Sequence, residues 1–317
     1  MSVKNGIGLC VKFLCFMMFV VFAGCSSAPK RQMVYTDISQ HAYDNYEKAN
    51  GAIIRGDYEK AGKYLEDAYA QAVSIDKNDL ICKILLSGLS YRIQNPVVDL
   101  SEKSFALPSY IDNLLSEAKV AASLSDDKIR PTLESVIRVY ECRADLFKAQ
   151  NDQYSATNSE IQKKLDAEIK NLSKEPYYLA FLYRTKGDWS NFLMNYQAAA
   201  EAYKNAAEIH TKNRYLFEIA YDWYLCAAAY SKDGKKQAAM DAIGNALKYD
   251  KDAENVSGIA QDYMAAANIL AKKNPTSEEI KQAVFYAERA ASIYRSEGMS
   301  QKADDCIAWI TEKKAQS

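Results

Sequence analysis

The sequence predicts an all-α chain built as a solenoid of helical hairpins. Three observations carry that expectation. Six prolines and twelve glycines in 317 residues suit helices better than a turn-rich β architecture. Apolar residues recur at three- and four-residue steps through most of the chain, the period of a helix with one buried face. One short pattern also returns along the chain: a turn, an aromatic, an alanine three residues on, a bulky residue four beyond, and a second alanine three beyond that.

The elements follow in order. Lys4 and Lys12 are the only charges in the first 24 residues, and Phe13–Phe22 is an unbroken apolar run. A bilayer-spanning helix needs about 20 apolar residues, so a run of this length reads as the core of a secretory signal, residues 1–24. Ala23-Gly24-Cys25 resembles the end of a bacterial lipobox, although Phe22 stands where Leu, Val or Ile is usual. The resemblance implies that the Cys25 thiol is acylated and the chain cut before it. The alternative is an uncut signal anchor with an ordinary thiol. Two or more acyl chains anchor stably where one does so marginally. Ser26 rather than aspartate after the cysteine points, by the enteric sorting rule, to an outer membrane where the host has one. The expected site is the cell envelope, facing the periplasm or exterior. Residues 25–40, with Pro29, Lys30 and Arg31, read as a lipidated cysteine and polar tether.

Cleavage would leave 38 basic against 41 acidic residues and move the net charge from −1 to −3, because the leader carries two lysines and no acid. Nothing in that balance supports nucleic-acid binding. Cys82, Cys142, Cys226 and Cys306 sit singly in apolar helical stretches, which favours free buried thiols over disulfides.

Residues 41–317 form the expected repeat domain. "GDYEKAGKYLEDAY" at 56–69 places Gly56, Tyr58, Ala61, Leu65 and Ala68 in the recurring pattern. "YQAAAEAYKNAAEI" repeats it with Tyr196, Ala199, Tyr203 and Ala206, and "DGKKQAAMDAIGNAL" with Gly234, Ala239, Ile243 and Ala246. Partial matches to a preceding helix are Ile84, Ser87, Gly88 and Tyr91; Tyr183 and Gly187; and Trp223, Cys226, Ala227 and Tyr230. These stretches resemble tetratricopeptide (TPR) repeats, whose small residues let the two helices of a hairpin approach closely. The resemblance implies a right-handed superhelix of stacked hairpins, with irregular long helices in the middle. Its unit is 34 residues, whereas Ala199 to Ala239 is 40 and Ala239 to Ala283 is 44. Thr276 with Glu279 predicts a capping box that opens a late helix. A long connection is expected over Asn95–Ser109.

In the middle, Leu133, Val136, Ile137, Tyr140 and Phe147 share one helical face, and Ile161, Leu165, Ile169 and Leu172 another, with a polar break at Asn151-Asp152-Gln153. They read as a hairpin that packs within the array, although the same faces would suit a homo-oligomer. Ala303, Ile307 and Ile310 form the apolar face of a closing helix.

Chemistry is sparse. His41 and His210 lack partners at ligand spacing, so neither metal nor Ser-His catalysis is expected, and His210 reads as a cation at a helix C-terminus. The acid pairs Asp126-Asp127, Glu278-Glu279 and Asp304-Asp305 read as solvated faces. No Gly-rich phosphate loop is present, and neither an enzyme nor a cofactor is expected.

Binding is the stronger expectation. The TPR resemblance implies an inner groove lined from the first helix of each hairpin: Tyr43, Tyr46 and Asn50; Leu89 and Arg92; Arg184, Asp188 and Asn191; Tyr221 and Tyr224, with Lys232 beside them. Each of these side chains could equally pack against its neighbouring helix. The implied role is an envelope scaffold that docks an unidentified protein partner. The alternative is a ligand-handling lipoprotein that works with a solute-binding protein of a TRAP-type transporter.

Overall fold

The computed structural model describes residues 37–95, 110–150 and 158–316. The leader, Cys25, the connection from residue 96 to 109 and the break at Asn151-Asp152-Gln153 lie outside the described residues.

Thirteen α-helices and no strand occur among the described residues: α1 (Asp37–Arg55), α2 (Tyr58–Ser74), α3 (Asn78–Gln94), α4 (Ile111–Leu124), α5 (Arg130–Gln150), α6 (Asn158–Asn171), α7 (Pro176–Phe192), α8 (Tyr196–Asn213), α9 (Leu216–Lys232), α10 (Lys236–Asp252), α11 (Val256–Leu270), α12 (Ser277–Ser296) and α13 (Ser300–Gln316). From α2 to α13 each helix packs on the next, and α3 also touches α5, α5 touches α7, and α9 touches α11. The odd-numbered helices therefore stack as an inner layer and the even-numbered ones back them, the layering of a TPR-like helical-hairpin solenoid.

The alanine pattern explains the pairing. Ala61, Ala68, Ala199, Ala206, Ala239, Ala246, Ala283 and Ala290 are all fully buried in the second helices of their hairpins. Gly187 carries the same logic further. A Cβ there would lie 2.5 Å from the Tyr203 ring, so α7 and α8 meet only because this position has no side chain. Trp189 ties α7 to α5 by donating its indole N–H to the Cys142 carbonyl at 2.9 Å.

The turns account for the long repeat. Met194, Arg214, Gly234, Glu254 and Asn274 all have positive φ, and each lies 20 residues beyond the last. A left-handed residue closes each helix and redirects the chain, so helix plus turn occupies 20 residues and a hairpin occupies 40. Between α11 and α12 both Lys273 and Asn274 are left-handed, and the turn lengthens before the Thr276–Glu279 capping box, which is present as expected. This extra turn and the 20-residue α12 stretch the next interval to 44.

The middle helices pack into the array, α5 against α3, α4, α6 and α7. Leu133, Val136, Ile137, Tyr140, Ile161, Leu165 and Leu172 are buried there. The four cysteines are free and buried. At the C-terminus one expectation needs correction. Ala303 and Ile310 are buried, but Ile307 is 37 % exposed and Cys306 takes the inner position. The small thiol fits under Tyr294 on the i, i+3, i+7 line, and the apolar stripe is rotated by one residue.

Candidate functional site: an aromatic cavity on the inner layer

The inner layer curves until its first hairpin meets its later ones. Arg55, at the end of α1, lays its guanidinium 4.8 Å above the Phe217 ring of α9. The Tyr46 hydroxyl of α1 interacts with that of Tyr178 at the start of α7, and with Asn50 and Ser87. Between these contacts lies a cavity of about 610 Å³ lined by Tyr43, Tyr46, Asn50, Tyr177, Tyr178, Tyr215 and Phe217, with Glu47, Lys48, Gly51, Arg55, Lys83 and Glu218. That volume falls in the range of sites for small organic ligands or a short peptide segment.

Local sequence sets this wall. Pro176 opens α7 at a position where its missing N–H costs nothing, and Tyr177 and Tyr178 follow in the first turn. Forty residues on, Phe217 and Glu218 occupy the equivalent turn of α9, with Tyr215 as its N-cap residue. The rings brace one another at steep angles: Tyr177 meets Tyr178 at 5.5 Å and 84°, and Tyr215 at 5.4 Å and 68°. Burial pushes the Tyr177 and Tyr178 phenols well above their ordinary value. Tyr215 is raised by burial and then by Glu218, Glu175 and Glu47 around it. These phenols stay protonated, so the wall offers ring faces and neutral hydroxyls.

Behind the wall sits a buried ionic cluster. Asp222 of α9 accepts from Arg184 Nε of α7 at 2.5 Å through Oδ1 and lies 2.7 Å from His210 Nδ1 through Oδ2. All three are almost fully buried. Arg184 also lies 5.0 Å over the Tyr221 ring. His210 is thus more than a side chain at a helix end: its Nδ1 is locked to an acid twelve residues later, with Nε2 buried and unpartnered. The rings of Tyr177 and Tyr215 flank it at 5.9 and 5.6 Å. One step along the layer, Asp188 accepts from Arg143 Nη1 at 2.7 Å and from the Tyr203 hydroxyl at 2.8 Å.

The structure distributes the sequence-derived groove residues unevenly. Tyr43, Tyr46 and Asn50 face the main cavity, and Tyr43 donates to Asp79 at 3.2 Å. Tyr221 and Tyr224 line a smaller adjoining hollow of about 30 Å³, which shares Arg55 and Phe217 with the first. Leu89 is in the core and Arg92 is buried with it. Arg184 and Asp188 are held in the ion pairs just described. Asn191 and Lys232 lie further along, joined by a 3.0 Å hydrogen bond. Sequence reasoning missed Glu47, Arg55, Tyr177, Tyr178, Tyr215, Phe217 and Glu218. The available signal was an aromatic pair, "YY" then "YLF", opening two inner helices about one 40-residue period apart.

Burial pushes the Cys82, Cys142 and Cys226 thiols up to about 12, so they are not thiolates. Among the described residues, no group of three or more His, Cys, Asp and Glu could hold a metal ion, and no helix is long and apolar enough to cross a membrane.

No family profile matches the sequence, and no curated protein does so significantly. Among solved structures the chain is similar to a signal-transduction ATPase with numerous domains (STAND) from Pyrococcus horikoshii, which carries a tetratricopeptide repeat sensor. The identity is 14 % and the TM-score 0.45, over 87 % of this chain and 42 % of that one. The chain therefore spans less than half the length of that protein. The fold assignment rests on the helix pairs and buried alanines of this chain.

Proposed function

We propose that this chain is a non-enzymatic binding protein of the bacterial cell envelope, tethered through a lipid on Cys25, whose inner cavity docks a segment of a partner protein. The single observation that carries the docking role is the cavity of about 610 Å³ with six aromatic rings on its wall. Tyrosine supplies large, rigid contact area at low entropic cost, the property wanted at a binding surface. The lipid tether rests on the Gly24-Cys25 resemblance alone.

Two measurements test the reading. A photo-crosslinking residue is placed at Tyr215, inside the cavity, and in a control at Phe285, which is 54 % exposed on α12. A discrete adduct from position 215 that position 285 does not give is the expected result. Identical or absent adducts would sink the docking role. For the anchor, Cys25→Ser is expected to move the chain from the membrane to the soluble fraction; unchanged partitioning would reject lipidation at that cysteine.

A second reading has its own support. The same volume suits a small organic ligand, as a component working with a TRAP-type solute-binding protein would require. A small molecule retained through purification, and released by Tyr177→Ala, would favour it.

A further inference from the structure

We propose that the edge where α7 turns into α8, α9 into α10 and α11 into α12 rests on an anionic phospholipid surface. Phe192, Leu193 and Met194 enter the bilayer interface there, and lysines of the neighbouring turns meet the headgroups. The inference goes beyond the docking role and does not use the cavity.

The three turns lie side by side. Lys232 Nζ donates to Asn191 Oδ1 at 3.0 Å, and Lys272 Nζ donates to the Ser231 carbonyl at 2.7 Å. The turns also correspond along the chain at the 40-residue interval: Phe192-Leu193-Met194, then Lys232-Asp233-Gly234, then Lys272-Lys273-Asn274. The third place is left-handed in each, with φ of 59°, 80° and 55°. Glycine and asparagine tolerate that backbone, and a long side chain strains it. Met194 is 73 % exposed, so packing does not repay the strain. Among the described residues it is the only apolar side chain on a left-handed backbone. Phe192 and Leu193 beside it are each 37 % exposed, and the buried Trp189 braces the Phe192 ring edge-on at 5.9 Å. The fold therefore holds a fixed apolar tip out in solvent at a backbone cost.

Charge decides what meets the tip. The α7–α8 turn itself carries none. In the other two turns every acid is already paired: Asp233 with Lys235 at 2.8 Å, Glu279 with Lys236 at 2.8 Å, and Glu278 with Lys281 at 3.7 Å. Lys232, Lys272 and Lys273 are left over, all exposed. Lys232 meets only the Asn191 amide and the Tyr196 ring, and Lys272 only the oxygens of Ser231, which leave both charges uncompensated. The next acids on the outer helices, Glu201 and Asp241, lie more than a turn inside α8 and α10. The edge is thus an apolar tip beside unbalanced positive charge. An acidic protein would satisfy the lysines alone. An anionic bilayer takes both parts, apolar groups below the headgroups and lysines among them.

The test uses the full-length chain with a solvatochromic amino acid at Leu193, and in a control at Asp304, exposed near the start of α13. The vesicles are phosphatidylcholine alone or mixed with phosphatidylglycerol. On the mixed vesicles the probe at 193 is expected to shift to the blue and to be quenched by brominated acyl chains. Neutral vesicles should give much less, and the probe at 304 should not respond. Lys232→Gln/Lys272→Gln/Lys273→Gln is expected to lower the ratio of inserted to solvated probe on the order of a hundredfold, roughly fivefold for each lysine near the surface. Met194→Gly suits the left-handed backbone, so it should melt no lower than wild type and yet insert about tenfold less. No response at 193 on anionic vesicles would overturn the proposal. So would an equal response on neutral vesicles, an equal response at 304, or insertion that neither variant weakens. A response to polyglutamate in solution but not to vesicles would assign the edge to an acidic protein and also overturn it. Each of these failures leaves the docking role standing, because that role is read by the crosslinker at position 215.

Discussion

Two carboxyls buried side by side give the clearest residue-scale expectation. Asp250 lies in the last turn of α10 and Asp262 in α11, each at most 5 % exposed. Asn255 donates its amide to Asp250 at 2.9 Å, and Gly258 leaves room for the same carboxyl, since a Cβ there would fall 2.1 Å from Oδ2. Burial raises both acids; the Asp250 charge raises Asp262 further, to about 9, and Asp262 keeps the proton it donates to its neighbour. A carboxyl raised in the folded state favours folding while it is protonated. Its contribution is complete below the unfolded value near 4 and is lost as pH climbs towards the folded one. Stability should therefore fall by up to about 1.4 kcal/mol per pH unit through the neutral range from this source. Asp262→Asn imitates the protonated acid and keeps a donor for Asp250. In denaturant unfolding the stability of the variant relative to wild type is expected to rise between pH 5 and pH 8 by up to about 4 kcal/mol, three pH units at that slope. Equal stabilities at both pH values would mean that the pair shares no proton. Nothing in the sequence marked these acids, because twelve residues separate them and only the 20-residue helix period brings them together.

At the scale of the helix pair, glycine reports two opposite situations. Gly187 lies where α7 crosses Tyr203, and a Cβ would be 2.5 Å from the ring. Gly244 lies on the exposed face of α10, where a Cβ meets nothing within 4 Å. Gly187→Ala must push the helices apart and should destabilise by about 1–3 kcal/mol, the range for overpacking. Gly244→Ala only removes backbone freedom from the unfolded chain and should stabilise by about 0.5–1 kcal/mol. Thermal or urea unfolding of the two variants checks both signs, and two changes of the same sign would contradict the packing argument. This was the most legible scale in the sequence. Ala61, Ala68, Ala199, Ala206, Ala239 and Ala246 announce close hairpins because alanine at those intervals serves no solvent-facing purpose. The turns were less legible. Met194, Arg214 and Glu254 adopt left-handed φ without being glycine, and among the described residues only Gly56, Gly234 and Gly298 are left-handed glycines at such turns. Helix α3 was also obscure, because it is buried from Leu80 to Arg92 on most sides and shows little amphipathic period.

The whole molecule departs from a simple solenoid in one respect that a linear repeat motif does not encode. In an ideal array each unit touches only its neighbours, and stability is a sum of local terms. Here Arg55 and Phe217 meet across 162 residues, and Tyr46 reaches Tyr178. The cavity is made by this closure, so only three of its thirteen lining residues could be read from the motif. Tyr43, Tyr46 and Asn50 lie in the helix before the match at 56–69, where the resemblance puts groove residues; Tyr177, Tyr215, Phe217 and Glu218 became site residues only when curvature brought α7 and α9 opposite α1. Closure should also couple distant segments. Arg55→Ala removes one cation–ring contact, worth about 0.5–2 kcal/mol depending on its desolvation. If that contact helps hold the ring of helices together, amide exchange should quicken in the last turn of α1 and equally in Tyr215–Ile219 at the start of α9. It should leave α12 and α13 unchanged, because they pack on each other and on α11, away from the cavity. Hydrogen exchange read by mass spectrometry resolves these segments. Faster exchange in α1 alone would show that the contact carries no closure energy, and that the cavity is held open by the hairpins behind it.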